Sequence, residues 1–204
     1  MRGKSWRPGR KTPKVKNGKV QKKHRWDYYA KEYSVPAGQS ELPILWEPAI
    51  RRHRHLVTER DLRSFISIIP GWKKYSQGLC GIVLGDGDDD CYGWHDEGVI
   101  CINAWSADIQ EAWDEDFFLE HQEILDRLTV PYERDGDEYY CEFTPKTASA
   151  FLLTHVFLHE LGHHYDRMQT KAQEHCPGGE TFAKSFGNAL ADQVWPEFCR
   201  VFRF

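Results

Sequence analysis

The chain has 204 residues, 40% of them hydrophobic and 14% aromatic, and 27 Lys/Arg against 31 Asp/Glu give a formal net charge of −4. That length and composition fit one globular domain with a core of its own. No apolar run reaches the roughly 18 residues of a membrane span and the first residues lack the apolar stretch of a secretory signal, so no membrane partner and a cytoplasmic location are expected.

The charge is unevenly placed. Residues Met1 to Lys31 hold twelve of the basic side chains and a single acid, Asp27, which leaves 15 basic and 30 acidic groups for the remainder. Residues 1–25 contain Pro8, Pro13 and many Lys but too little apolar surface to order themselves, so they read as a disordered basic arm ahead of a folded domain spanning 26–204. Nucleic-acid phosphates, or the acidic body of this or another copy, are the partners such an arm suits.

Within the domain, Thr58 with Asp61 three positions on is a helix start, and Leu62, Phe65, Ile66 and Ile69 follow at helical spacing until Pro70. Gly81 to Leu84 and Val99 to Ile102 read as strands. Between them, Asp86, Asp88, Asp90 and Glu97 match the first, third, fifth and last positions of a calcium loop, but Cys91 stands where that loop needs Gly, and a solvated acidic turn is preferred. Ser106 is expected to open an acidic helix running towards Leu128, and Asp135-Gly136-Asp137 to turn a hairpin into a strand over 139–143. The cysteines, Cys80, Cys91, Cys101, Cys141, Cys176 and Cys199, form no CxxC pair and read as free thiols. Cys176 is close enough in sequence to Glu180 to serve as an extra metal ligand.

The most specific signal lies further on. Thr144 and Pro145 start a helix that continues to Met168, and within it His159-Glu160-Leu161-Gly162-His163 sets two imidazoles four residues apart on one face, with a carboxylate between them. Such rings, with Cβ atoms about 5–6 Å apart, make half of a catalytic zinc site, and Glu160 is placed to take a proton from a metal-activated water. The rest of the helix is apolar, with Phe151, Leu152, Val156, Phe157, Leu158 and Leu161 covering most of its circumference, so burial is expected. An imidazole there needs a hydrogen bond or a metal. His155, one turn before His159, reads as a packing residue. The metzincin spacing fails, because it needs Gly at Asp166 and His at Gln169. After Pro177-Gly178-Gly179, Glu180 opens a second helix through Phe182, Ala183, Phe186, Leu190 and Val194, which Pro196 is expected to stop. Glu180 can face back towards the first helix.

His159-Glu160-Leu161-Gly162-His163-His164-Tyr165-Asp166 resembles the HExGHxxD pattern of the gluzincin metallopeptidases, and Glu180-Thr181-Phe182-Ala183-Lys184-Ser185-Phe186 resembles their ExFAxxF helix. The likeness is to the branch containing anthrax lethal factor, the Mlc titration factor peptidases and the Pro-Pro endopeptidases, and it covers under a fifth of the chain. It implies a single zincin-like α+β domain with a small mixed sheet, a central HExxH helix and a following Glu-bearing helix. It further implies Zn2+ held by His159, His163 and Glu180, with Glu160 as general base and Asp166 as a support on the ligand face. In that family an edge strand near the cleft pairs with the extended substrate, and residues 139–143 or 99–103 are the expected suppliers.

Two departures bear on the chemistry. The branch's oxyanion-stabilising Tyr, seven residues before the ligand Glu, is Gln173 here, which leaves His175 and Tyr165 as candidate donors. The link from His163 to Glu180 is short for the branch, which implies a reduced cleft. His175 also opens an alternative, since SprT-like DNA-associated proteases use a third His after HExxH, although the aromatic residue they carry four positions later is Gly179 here. The expected function is a zinc-dependent endopeptidase acting on a protein or peptide. The alternatives are a non-catalytic zinc-binding module and a SprT-like DNA-associated protease with His175 as third ligand.

Overall fold

The structure, a computed structural model, describes residues 15–16, 19–20, 41–87, 91–169 and 176–204. Within the basic arm, β1 (Val15–Lys16) and β2 (Lys19–Val20) pair antiparallel, and the other residues of 1–25 lie outside that description. The fold is α+β, and no helix among the described residues is long and apolar enough to cross a membrane.

A four-stranded mixed sheet forms one layer, in the order β3 (Ile44–Trp46), β5 (Gly81–Gly85), β7 (Val99–Asn103), β6 (Gly93–Asp96). The first three run parallel and β6 runs antiparallel to β7. Every residue of β5 and β7 is buried, the pattern of unbroken Val/Ile/Leu strands covered on both faces. Ile82, Leu84, Ile100 and Ile102 enter the main core, while Val83, Val99 and Cys101 form a smaller cluster with Cys80 and Trp94. Glu97 and Gly98 turn the chain between β6 and β7 at φ 42° and 90°, the paired positive values of a tight hairpin turn, so β6 folds back along the outside of β7.

A three-stranded antiparallel sheet has β11 (Glu138–Glu142) between β10 (Tyr132–Asp135) and β9 (Gln110–Asp114). Gly136, at φ 65°, turns the expected hairpin. A further short pair joins β4 (His53–Arg54) to β8 (Trp105–Ser106).

Helix α1 (Glu59–Ile68) begins with the expected reciprocal cap: the Asp61 N–H donates to Thr58 Oγ1 at 3.2 Å and the Thr58 N–H donates to Asp61 Oδ2 at 3.0 Å. The short α2 (Trp72–Tyr75) follows it. The helix expected from Ser106 starts nine residues later, as α3 (Glu115–Arg127), and residues 110–114 form β9 instead. Ser106 Oγ does accept a backbone N–H, from Asp108 at 3.3 Å, but that bond closes a turn. The helix cap is Asp114, whose Oδ1 accepts the Phe117 N–H at 2.8 Å.

The central helix is not uniform. It comprises α4 (Pro145–Phe151), a π-helical stretch (Leu152–Phe157) and α5 (Leu158–Met168), where the sequence pattern reads as one α-helix. Within the wide stretch the Thr154 hydroxyl donates to the Ala150 carbonyl at 2.8 Å, occupying the acceptor that α geometry reserves for the Thr154 N–H. This helix lies between the sheet and α6 (Gly179–Phe202), and its Phe151, Leu152, Leu153, Phe157, Leu158 and Leu161 are almost fully buried.

Pro196 does not stop α6, which runs six residues beyond it. Phe198 is 1% exposed, and both it and Phe202 pack edge-on against Phe65 of α1. Burying such rings contributes about 1.5–3 kcal/mol each, enough to offset an interior proline at about 3 kcal/mol. Pro196 and Asp192 are both exposed, so the carbonyl that the missing N–H leaves bare faces water. Pro196→Ala restores that bond. Thermal unfolding of the variant should give a higher Tm, by roughly 2–4 °C for each kcal/mol gained, and an unchanged or lower Tm would refute the local penalty.

Candidate metal centre

The HELGH segment lies on α5, where His159 and His163 are half-buried and point the same way, their Nε2 atoms 3.0 Å apart. Glu180, in the first turn of α6, completes the group: Oε2 is 3.1 Å from His159 Nε2 and Oε1 is 3.4 Å from His163 Nε2. Four tetrahedral ligands at zinc bond lengths of about 2.0–2.1 Å stand roughly 3.3 Å from one another, so these separations fit three sides of such a site. The chemistry fits too, because two imidazole nitrogens and a carboxylate bring electron pairs to one point. Among the described residues this is the one group of His, Cys, Asp and Glu arranged to hold a metal ion. Hydrogen bonds and charge from the two imidazoles hold the Glu180 carboxyl well below the usual carboxylate range.

A close helix crossing makes the group possible. A Cβ placed on Gly162 would stand 2.9 Å from Ala183 Cα and 3.0 Å from the Ala183 carbonyl oxygen, and one on Gly187 would stand 3.2 Å from the His159 backbone nitrogen. With no side chains at these positions the two backbones approach directly, and Glu180 falls within reach of both rings.

Glu160 occupies the other side of α5. It is 8% exposed, and burial pushes its carboxyl up to about 7, partly offset by the two ligand imidazoles. It packs towards Gly93 of β6: a Cβ there would meet Val156 at 2.5 Å and the Cys101 carbonyl at 2.7 Å, with Glu160 Cγ at 3.7 Å. The strand at the sheet edge beside the site is therefore β6. Neither segment expected in that role is an edge, since 99–103 lies between β5 and β6 and 139–143 falls on β11 and the residue after it, inside the other sheet. Edge position follows from long-range strand order, which local pattern does not carry.

The supporting residues are distributed around this frame. Asp166 is buried and its Oδ2 accepts the Gly178 N–H at 2.8 Å, so it anchors the start of α6 two residues before Glu180. The Cys176 thiol donates to the His163 carbonyl at 3.2 Å and stands outside the metal group. Tyr165 is two residues from His163 and so faces elsewhere on the helix. Its ring packs on Tyr75 and Phe186, with the Lys74 ammonium 5.1 Å from the ring centroid. His175 and Gln173 lie outside the described residues, as do Asp88 and Asp90 of the calcium template. Cys91 and Glu97 of that template flank a strand, not a calcium-binding helix. None of the six cysteines forms a disulfide.

The fold brings three further histidines to this region: His164; His155, the expected packing residue; and His121, which the sequence reading does not single out. His164 is fully buried: its Nε2–H donates to the Gln77 carbonyl at 2.9 Å, and its Nδ1 lies 3.3 Å from His95 Nε2, tying α5 to β6. His155 lies 6.4 Å from His159 between ring centroids, and 4.8 Å from His121 of α3. Burial pulls the His155 imidazole down to about 3, with the neighbouring His121, His159 and Lys184 adding to the effect, and burial also lowers His121. No local signal marks His121, which meets the site only through tertiary packing.

The arrangement defines a helix-borne centre of two imidazoles and one carboxylate with a buried acid beside it. Compared with protein-family models, with curated proteins and with solved structures, the chain gives no match in any of the three.

Gly162→Val tests the crossing. It should lower Tm by the equivalent of about 1–3 kcal/mol and weaken metal binding, measured by competition with a chelator. Metal affinity equal to wild type would show that the centre does not depend on the helix approach.

Proposed function

We propose that the protein is a zinc-dependent endopeptidase with a zincin-like domain, hydrolysing peptide bonds of a protein or peptide substrate. The observation that carries this reading is the convergence of His159, His163 and Glu180 with the Glu160 carboxyl buried beside them. When bound there, zinc supplies the positive charge that lowers the pKa of a water towards about 7 and polarises a carbonyl.

The chain's own residues do the remainder. Glu160 accepts a proton from the attacking water as the water oxygen bonds to the carbonyl carbon, and returns it to the amine nitrogen as the C–N bond breaks. A carboxyl held at about 7 suits both halves of that task near neutral pH. His159, His163 and Glu180 hold the ion, and Asp166 holds Glu180 in place through Gly178. The position of β6 at the sheet edge beside Glu160 suits an extended peptide running along it.

A zinc-binding module without catalysis is the second reading, favoured by Gln173 standing where the gluzincin branch has its oxyanion-stabilising Tyr and by the packing of the Tyr165 ring against Tyr75 and Lys74. One comparison separates the two. The zinc-loaded wild type should cleave members of a peptide library, while Glu160→Gln should keep its zinc and lose at least about a hundredfold in rate, the usual scale of general base catalysis. Full activity in Glu160→Gln would remove the mechanism, and a zinc-loaded wild type inert towards every peptide would favour the non-catalytic module.

A further inference from the structure

At the edge of the four-stranded sheet opposite β6, the chain leaves β3 through a loop, residues 47–55, that includes β4. His55 closes its neck, the Nε2–H donating to the Glu47 carbonyl at 2.7 Å. Because the ends meet, no residue of the loop is more than four positions, roughly 14 Å of extended chain, from that bond. A turn forms the tip. There the His53 N–H donates to the Ile50 carbonyl at 3.0 Å, and Arg52 takes φ 71°, a left-handed position that favours glycine. The loop is fixed to the body at its base: the Ile50 N–H donates to the Asp86 carbonyl at 2.8 Å, β4 pairs with β8, and the His53 ring lies against Gly87, where a Cβ would stand 2.7 Å from it.

The side chains of this loop share one chemistry. Arg51, Arg52 and Arg54 are exposed, and the only acid in the loop is Glu47, at the neck. Arg63, Arg127, Arg134 and Arg200 each pair with a carboxylate, whereas these three make no ion pair among the described residues. Trp46 is 62% exposed and Ile50 43%, two of the four large hydrophobic side chains exposed among the described residues, and both border the arginines. The Trp46 ring is held in place, its centroid 5.3 Å from that of His55, the residue that closes the neck. An open indole beside three guanidiniums combines the stacking platform and the cationic track that single-stranded nucleic acid requires, since every unpaired base offers a π-face and each phosphate accepts a planar guanidinium bidentately. An acidic peptide would satisfy the arginines and leave the indole without a partner. The loop also belongs to the basic part of the chain: the first 63 residues carry 17 Lys/Arg and 6 Asp/Glu, the remainder 10 and 25.

We propose that the 47–55 loop binds single-stranded nucleic acid, one base stacking on the Trp46 ring while neighbouring backbone phosphates bind Arg51, Arg52 and Arg54. The turn at Arg52 then sets two successive guanidiniums at the tip, and the bond from His55 to Glu47 keeps the indole still. The loop adjoins β3, the edge opposite the one beside Glu160, so the contact is separate from the metal group and stands whether or not that group is catalytic.

The test is the fluorescence anisotropy of a labelled oligothymidylate of about eight nucleotides, titrated with the full chain at several salt concentrations. Wild type should bind it. Trp46→Ala should weaken binding roughly fivefold to a hundredfold, the range of one base–aromatic stack, and Trp46→Phe should retain most of the affinity. Replacing Arg51, Arg52 and Arg54 together by Ala should flatten the slope of log affinity against log salt by about two, the counterion release of three phosphates on a single strand. All four side chains are exposed, so each variant should keep the wild-type Tm. Affinity that neither change weakens belongs to the basic arm of residues 1–25 and overturns the assignment, as does a wild type that does not bind. A duplex of the same length bound as tightly, or a polyglutamate peptide bound as tightly with Trp46→Ala without effect, overturns it equally.

Discussion

The direct approach of two helix backbones is the constraint on which the rest of the centre depends. Where α5 crosses α6, Gly162 faces Ala183 with no space for a Cβ, and Gly187 faces the His159 backbone, where a Cβ would be tightly crowded. Any larger residue would push α6 outward and carry Glu180 away from the two imidazoles. The same crossing gives Gly162 a purpose inside the HELGH segment that is separate from metal binding. Asp166 reinforces it from the next turn by fixing Gly178, so the link between the helices ends at a pinned point.

The sheet imposes a matching constraint on the opposite side of α5. Gly93 lets β6 lie against the helix at Val156 and Glu160, and the His95–His164–Gln77 chain ties that strand and the loop after α2 to the helix. Glu160 is confined between the sheet edge and the helix, where exclusion of water raises its affinity for a proton. The two carboxyl groups of the centre are thus driven apart by their surroundings. Glu180, exposed and flanked by imidazoles, stays ionised and suits a metal; Glu160, buried, sits near neutrality and suits proton transfer.

Much of this was legible in the residues because it is encoded locally. The caps at Thr58 and Thr144, the turn at Gly136, the apolar strands at 81–85 and 99–103, and the pairing of His159 with His163 each rest on spacings of a few residues. The failures share a different origin. Ser106 has the chemistry of a cap but spends its hydroxyl on a turn, and Pro196 is overridden by Phe198 and Phe202 burying their rings against Phe65. The edge role of β6 depends on strand order, and the meeting of His121 with His155 depends on two separate elements folding onto one another. Neither property exists below the level of the tertiary fold.

The claim that Glu180 completes a metal centre with His159 and His163 is tested most directly by metal stoichiometry, measured by plasma mass spectrometry on wild type, Glu180→Ala and His175→Ala prepared alike. The geometry predicts about one zinc per chain in wild type and in His175→Ala, and its loss or marked weakening in Glu180→Ala. Zinc retained without Glu180 but lost without His175 would contradict the assignment of the third ligand, and a wild type that takes up no metal would contradict the centre itself.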